Sequence, residues 1–161
     1  MFRIGHGYDV HRLKPARKLI LGGVLIPHST GLDGHSDADV AIHALMDSIL
    51  GALALGDIGI WFPPADPKYK DADSMKLLSK MWKDKKFADY KIGNCDITVI
   101  AQHPRLSPFI DDMRKNISKV LGCKLSQVSI KATTTEGLGF CGKQKGIAAN
   151  AVVILEKKQS T

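Results

Sequence analysis

Apolar residues recur with two different periods along the chain, and the shorter period marks its strands. Residues 2–10 alternate between apolar or aromatic side chains and small or polar ones, which predicts a strand. Gly5 and Gly7 lie within this segment, and glycines inside a strand indicate that another backbone approaches it closely. Further strands are predicted over residues 96–101, 128–134 and 146–155, together with a hairpin over residues 19–26.

Three other segments carry apolar residues at every third or fourth position, which is the spacing of an amphipathic helix. The first helix is predicted to begin after a cap at Ser36 or Asp37, and the second helix at Asp73 or Ser74. Residues 30–36, which precede the first helix, are rich in turn-forming residues and are predicted as a loop.

The third helix has the clearest boundaries, with Ser107 as its cap, Pro108 in its first turn and Gly122 as its stop. Strands and helices alternate through 161 residues without repeats, so we expect a single domain over residues 1–161. The predicted fold class is α+β, an α/β sandwich with a mixed four-stranded β-sheet, helices on one face and a short hairpin.

The chain has 23 Lys and Arg against 16 Asp and Glu, and this net charge of +7 would suit a polyanionic partner. Six lysines lie between Lys76 and Lys91 at helical spacing, so we interpret them as a solvated helix face. A basic nucleic-acid-binding module is the non-enzymatic alternative, and charge alone supports it. No apolar run has the length of a membrane span, and the three cysteines, outside any CxxC pair, fit a reducing cytoplasm.

One aspartate and two histidines form the first candidate site. Asp9 and His11 are two positions apart on a predicted strand, so their side chains point to the same face of the sheet. Asp39, His43 and Asp47 recur every four residues along one side of the first helix, which offers a third ligand. One Asp and two His suit a catalytic zinc ion with an open position, or the iron of a non-haem iron oxygenase, which is the alternative enzyme. Histidines with a structural role are the non-catalytic alternative.

The second candidate site is the segment KATTTE, in which a predicted strand ends in three hydroxyls and a carboxylate. Thr133 and Thr135 face one way and Thr134 the other, and such hydroxyls suit phosphate oxygens. Glu136 beside phosphates would need a cation such as Mg²⁺ between them, although a plain strand end is the alternative. His35 lies in a loop that leads into a helix N-terminus, where unpaired N–H groups attract anions.

Four blocks of sequence combine these residues: GHGYDVHRL, GLDGHSDADVAIHALMDSILGALALGDIG, DITVIAQHPRLSPFIDDMR and KATTTEGLGFCGKQKGIAANAV. In order and spacing they resemble the 2-C-methyl-D-erythritol 2,4-cyclodiphosphate synthase family of the non-mevalonate isoprenoid pathway. The resemblance implies a homotrimer around a central β-prism, with active sites between adjacent subunits. It also implies a lyase that converts 4-diphosphocytidyl-2-C-methyl-D-erythritol 2-phosphate to the 2,4-cyclodiphosphate and releases CMP, with no nucleic-acid or membrane partner.

Site roles follow from the same resemblance. Asp9, His11 and His43 are implied to hold one Zn²⁺ per subunit, and Glu136 is implied to reach a Mg²⁺ or Mn²⁺ ion on the diphosphate. His35 and Thr134 are implied to stabilise the transition state through hydrogen bonds to phosphate. The implied substrate contacts are Asp9, His11, His35, Ser36, Asp57, Ile58, Gly59, Phe62, Pro63, Pro64, Ala65, Asp66, Ala101, Gln102, His103, Pro104, Arg105, Leu106, Ser107, Ala132, Thr133, Thr134, Thr135, Glu136, Phe140 and Lys143.

Three positions depart from the pattern of the family. Pro64 stands where an Asp is frequent, which puts substrate contacts by the middle of that loop in doubt. Lys143 stands where an Arg is common, and Asn150 where a Glu is sometimes found, near the expected trimer cavity. Lys lacks the bidentate fork of Arg. A bacterial cytoplasmic location is expected, with a plastid-type organelle as the alternative if a transit peptide has been removed.

Overall fold

The long first strand, β1 (Phe2–Pro15), organises the sheet of the computed structural model, which describes residues 1–159. The other strands are β2 (Leu19–Leu21), β3 (Val24–Ile26), β4 (Thr30–Asp33), β5 (Tyr90–Ile100), β6 (Val128–Thr133) and β7 (Gly146–Lys157). Within the described residues, the sheet has five strands in the order β4, β1, β7, β5, β6, and only the β5–β6 pair is parallel. A separate two-stranded hairpin pairs β2 with β3.

The predicted α+β class is confirmed, but the predicted four-stranded sheet is wrong by one strand. Residues 30–36 were expected to form a loop, whereas Thr30–Asp33 pairs antiparallel with the end of β1, from Arg12 to Pro15. A four-residue strand that contains a glycine shows no alternation from which to predict it. The strand forms because β1 continues past Val10 as far as Pro15, and this extension has a free edge with which Thr30–Asp33 can pair.

Five α-helices connect or flank these strands in the described part of the chain, together with short 3₁₀ turns. Asp73 caps the second long helix, α3, by accepting hydrogen bonds from the N–H groups of Met75 (2.8 Å) and Lys76 (3.1 Å), as predicted. None of the helices among residues 1–159 combines the length and apolar character needed to cross a bilayer. The helices are α1 (Val40–Ala52), α2 (Ile58–Trp61), α3 (Ser74–Trp82), α4 (Ile110–Leu121) and α5 (Gly139–Gly142).

Two predicted helix caps are wrong. Asp39, and not Ser36 or Asp37, caps α1: its carboxylate accepts hydrogen bonds from the N–H groups of Ile42, Gly22 and Gly23 at 2.7–3.2 Å. Burial raises the pKa of Asp39 to about 6. These contacts join the first helix to the hairpin turn, so tertiary packing selects the cap among several neighbouring acids.

The start of α4 differs from the prediction in a similar way. Ser107 and Pro108 belong to a 3₁₀ turn, Ser107–Phe109, and α4 begins at Ile110 without a side-chain cap. The hydroxyl of Ser107 instead accepts a hydrogen bond from Arg105 Nε at 2.9 Å. The predicted stop at Gly122 is confirmed, with a left-handed φ of +65°.

Helix α1 packs directly across β1, and two glycines make this contact possible. A Cβ on Gly5 would lie 1.8 Å from Ser48 O, and one on Gly7 would lie 2.0 Å from Ala44 O. The close approach predicted from these glycines is therefore confirmed, and the approaching backbone is that of α1. Among residues 1–159, none of the three long helices packs on the opposite face of the sheet, which exposes the apolar residues Phe2, Ile4, Tyr8, Val10 and Val152.

Candidate metal centre and active site

Asp9, His11 and His43 meet at the contact between β1 and α1. Asp9 Oδ2 lies 2.9 Å from His11 Nε2 and 3.0 Å from His43 Nδ1. The two imidazole nitrogens are 3.1 Å apart, and one ligand atom from each residue fits within a 4.8 Å cluster. The predicted grouping of these three residues is confirmed, and we refer to them as the triad. Because Gly7 lets α1 approach β1, His43 can reach both strand residues.

The other two aspartates on the same side of α1 do not join the triad. Asp39 caps the helix, as described above. Asp47 accepts a hydrogen bond from the N–H of Ile58 at 2.8 Å and thereby holds the start of α2. Burial raises the pKa of Asp47. Of the three residues that the four-residue spacing offered as a third ligand, only His43 joins the cluster.

Hydrogen bonds on the far side of each imidazole leave the facing nitrogens available to a metal. His11 Nδ1 lies 2.9 Å from the carbonyl oxygen of Asp33, so Nδ1 carries the hydrogen and Nε2 faces the triad. His43 Nε2 lies 3.2 Å from Ser36 Oγ and 3.0 Å from Ser74 Oγ, while its Nδ1 faces the triad. Such outer hydrogen bonds orient metal-binding histidines in many proteins.

The electrostatics of the triad favour a charged carboxylate beside the imidazoles. Burial disfavours the ionised form of Asp9, but the hydrogen bonds and positive charge that His11 and His43 offer when protonated outweigh burial and hold the pKa of Asp9 well below its usual range. Burial disfavours protonated His11, yet the contact with Asp9 raises the pKa of His11 overall. One carboxylate oxygen and two imidazole nitrogens form a donor set that fits a divalent metal with an open coordination position.

A cavity of about 230 Å³ lies beside the triad and contains several of the predicted substrate contacts. His35, Ser36, Ile58, Gly59, Phe62 and Pro64 line it together with the triad. Asp57, Pro63, Ala65 and Asp66 belong to the same chain segment but do not line the cavity. A wider groove of about 730 Å³, between the hairpin and helices α3 and α4, contains none of the predicted substrate contacts.

Three lining residues were missed from the sequence: Met46, Tyr69 and Leu77. Met46 and Leu77 are buried residues of α1 and α3. The position of Met46 three residues after His43 could have indicated its proximity to the triad. Tyr69 follows a proline-rich loop, and nothing in its local sequence indicates that it would fold back over Phe62, at 5.3 Å between ring centroids.

The second candidate cluster forms around the end of β6. Thr134 Oγ1 donates a hydrogen bond to Glu136 Oε1 at 3.1 Å and accepts one from Glu136 N–H at 3.3 Å. The N–H of Ala101 bonds to Thr133 O (3.0 Å), and the side-chain oxygen of Gln102 accepts from Gly137 N–H (3.3 Å). These hydrogen bonds join the ends of β5 and β6, where Thr133, Thr134 and Glu136 are exposed and Ala101 is buried.

This second cluster is not next to the triad within one chain. Thr133 pairs with Ile100, Ile100 with Ala148, and Ala148 with Val10 of β1. Three strand spacings therefore separate the end of β6 from the triad strand, which amounts to about 14 Å. The predicted site residues thus form two groups on one chain. The second group comprises Ala101, Gln102, His103, Pro104, Arg105, Leu106, Ser107, Ala132, Thr133, Thr134, Thr135 and Glu136.

Phe140 and Lys143, the last predicted contacts, lie at the two ends of the short helix α5, with Lys143 at its cap. Phe140 lines a surface groove of about 690 Å³ together with Val10 and His11. This groove connects α5 to the strand that carries the triad, and it shares His11 with the cavity that His35 lines.

Comparison with known proteins places these features in one family. The sequence model of the YgbB family matches residues 2–156. A 2-C-methyl-D-erythritol 2,4-cyclodiphosphate synthase from Moorella thermoacetica is 59% identical over 158 residues, 98% of this chain and 97% of that protein. The enzyme of that name from Clostridioides difficile is 61% identical over 153 residues, 95% of each chain.

Solved structures agree with the sequence comparison. The Plasmodium falciparum IspF protein, solved in complex with CDP, superposes with a TM-score of 0.83 at 41% identity and covers 98% of this chain and 97% of that chain. The resemblance found in the four sequence blocks is therefore confirmed over nearly the whole length. Since the family match, the sequence relatives and the fold all coincide, this chain belongs to the YgbB family.

Proposed function

We propose that this chain is the cyclising lyase that forms 2-C-methyl-D-erythritol 2,4-cyclodiphosphate. An oxygen of the 2-phosphate of 4-diphosphocytidyl-2-C-methyl-D-erythritol 2-phosphate attacks the β-phosphorus, the bond from that phosphorus to the CMP oxygen breaks, and CMP leaves. The observation that carries the proposal is the triad of Asp9, His11 and His43 beside a cavity, in a member of this family.

The donor atoms of the triad suit a transition metal, and we assign Zn²⁺ to it. Glu136 is exposed and offers only oxygen ligands, as does Thr134 beside it, which suits the harder ions Mg²⁺ and Mn²⁺. When bound, the metals would offset the negative charge of the two reacting phosphate groups and of the departing CMP.

The protein itself contributes orientation and exclusion of water. Ile58, Gly59 and Phe62 line the cavity in which the methylerythritol portion would lie, and Leu77 adds an apolar wall. His35 is exposed at its rim, where its ring can donate a hydrogen bond to phosphate. The nucleophile is already an anion, so no general base is needed. Holding two groups of one molecule together makes the attack effectively unimolecular.

A homotrimer would complete the site, and two observations support this assembly. The triad and the cluster of Thr134 and Glu136 are far apart within one chain, so one substrate diphosphate would need the cluster of another copy. The uncovered sheet face exposes Phe2 and Ile4 to 71% each and Tyr8 to 48%. Several large apolar side chains exposed on one face are typical of an interface. We propose that three such faces pack around a central β-prism in the cytoplasm of the cell.

Turnover of the diphosphocytidyl substrate tests the proposal. Folded protein supplied with Zn²⁺ and Mg²⁺ is expected to release CMP and to give the phosphorus NMR signal of a cyclic diphosphate. His43→Ala should lose both bound zinc and turnover, whereas the control His28→Ala, outside the triad and its cavity, should keep both. Metal-loaded wild-type protein without turnover would refute the proposal. A strict requirement for iron and oxygen would favour the oxygenase alternative.

A further inference from the structure

Behind His43, hydrogen bonds lead away from the triad to the start of α3. His43 Nε2 lies 3.0 Å from Ser74 Oγ, and the Ser74 hydroxyl donates a short hydrogen bond to Asp37 Oδ1. The N–H of Ser74 donates to the second carboxylate oxygen, Oδ2, at 3.0 Å. Asp37 therefore holds Ser74 through both of its oxygens. Ser74 is fully buried and His43 nearly so, which shields the contacts from water.

The chemistry of these groups determines which atom carries each hydrogen. An ionised carboxylate can only accept hydrogen bonds, so the single hydroxyl hydrogen of Ser74 points to Asp37. Ser74 Oγ is then left as an acceptor toward His43, and Nε2 of His43 must carry the hydrogen between them. In the neutral imidazole, which is the form that binds a metal, the lone pair of His43 is consequently on Nδ1, which faces Asp9 and His11.

Ser36 is a second neighbour of the same imidazole nitrogen but cannot impose this arrangement. Its Oγ lies 3.2 Å from His43 Nε2 and also accepts a hydrogen bond from Ala38 N–H at 3.2 Å. Within residues 1–159, no carboxylate accepts the hydroxyl hydrogen of Ser36. Ser36 can therefore turn its hydroxyl toward or away from His43.

We propose that Asp37 and Ser74 are positioning residues, which orient His43 with its Nδ1 lone pair toward the triad and thereby strengthen metal binding. The inference rests on the proposed metal site and extends it to two residues without an assigned role. Backbone hydrogen bonds keep the two segments together, from Asp37 N–H to Ala72 O at 3.0 Å and from Asp71 N–H to His35 O at 2.8 Å.

The zinc dissociation constant of the full chain, measured by competition with a chelator, tests this role. Ser74→Ala should weaken zinc binding by about tenfold or more, the range found when outer partners of metal-binding histidines are removed. Asp73→Ala is the matched control, because it removes the cap of the same helix without touching His43. Its zinc affinity should stay within about twofold of wild type, even if its stability falls.

A spectroscopic signature separates positioning from general stability. In the zinc-loaded wild-type protein, the Nε2 proton of His43 should give a downfield NMR resonance that exchanges slowly with water. This resonance should shift upfield or exchange rapidly in Asp37→Ala, where the Ser74 hydroxyl is free to turn. Asp37 is only partly buried, so this variant keeps the test available should Ser74→Ala not fold.

The outcomes are distinguishable from those of the proposed function. If wild-type protein binds no zinc, both the metal site and the positioning inference are wrong. If wild type and Ser74→Ala bind zinc equally well, or if Asp37→Ala leaves the His43 resonance unchanged, only the positioning inference is wrong. A loss of affinity in Ser74→Ala but not in Asp73→Ala, together with the altered resonance, supports it.

Discussion

A single methyl group at Gly7 should disrupt both the fold and the metal centre. Gly7 lies in β1 directly beneath α1, and a Cβ there would be 2.0 Å from Ala44 O and 2.7 Å from Ser48 N. Both of these atoms belong to the helix backbone, so no rotation of a side chain can relieve the contact. The substitution Gly7→Ala therefore requires the helix to move away from the strand.

The size of the effect follows from the same distances. Ordinary contacts of a Cβ atom begin at 3.4 Å, so α1 must withdraw by about 1.4 Å at Ala44. Overpacking of this kind costs about 3 kcal/mol of unfolding free energy, the upper end of its usual range. His43 precedes Ala44 and moves with it, whereas metal–ligand distances tolerate only about 0.2 Å. We expect zinc affinity to fall by about tenfold or more.

Chemical denaturation of the metal-free protein and a zinc titration measure the two effects. Gly51→Ala is the matched control, because a Cβ there meets nothing closer than His6 O at 3.8 Å. The free energy of unfolding of Gly51→Ala should rise by about 0.5–1 kcal/mol, because alanine is a better helix former than glycine. Its zinc affinity should equal that of wild type. If Gly7→Ala matches wild type in both stability and zinc affinity, the β1–α1 contact does not define the metal centre and the reasoning fails.

Three further substitutions test the loop, the second cluster and the interface. The Arg17 guanidinium donates hydrogen bonds to three backbone carbonyl groups of residues 32–36 and so holds the loop that carries His35. Because lysine lacks this fork of donors, Arg17→Lys should keep zinc but lower kcat/KM by about tenfold. Unchanged turnover would show that these three hydrogen bonds are not needed for activity. Glu136→Gln should keep zinc but lose most of the turnover and its Mg²⁺ dependence, and a normal rate would remove Glu136 from the site. Ile4→Glu should abolish the trimer in light scattering, while the exposed control Leu25→Glu should not; a persistent Ile4→Glu trimer would exclude this face as the interface.

Local periodicity made the three residues of the triad candidates, and the family resemblance selected His43 over Asp39 and Asp47. Alternation along β1 places Asp9 and His11 on one face, and helical spacing brings His43 off the apolar stripe of α1. The glycines of β1 even predicted the close backbone contact. What periodicity cannot supply is the distance between two elements, which the structure provides through the contact of Gly7 with α1.

The helix caps could not be predicted from the sequence, because several neighbouring residues of similar chemistry compete for each cap. The segment DGHSDAD contains several side chains that can cap a helix, and local sequence cannot rank them. Gly22 and Gly23 select Asp39 as the cap, and Ser74 binds Asp37, both through contacts distant in sequence. The separation of Glu136 from the triad depends on strand order, which no local pattern encodes.

Mixing two inactive variants tests most directly the claim that one active site is built from two chains. His43→Ala lacks the triad but keeps the Thr134 and Glu136 cluster, and Glu136→Gln has the converse defect. In trimers assembled at random from equal amounts, about one quarter of the interfaces would pair an intact triad with an intact cluster. We predict that the mixture regains about a quarter of wild-type CMP release, with the cyclic product. Mixed trimers, verified by mass spectrometry, that are no more active than either parent would contradict the account.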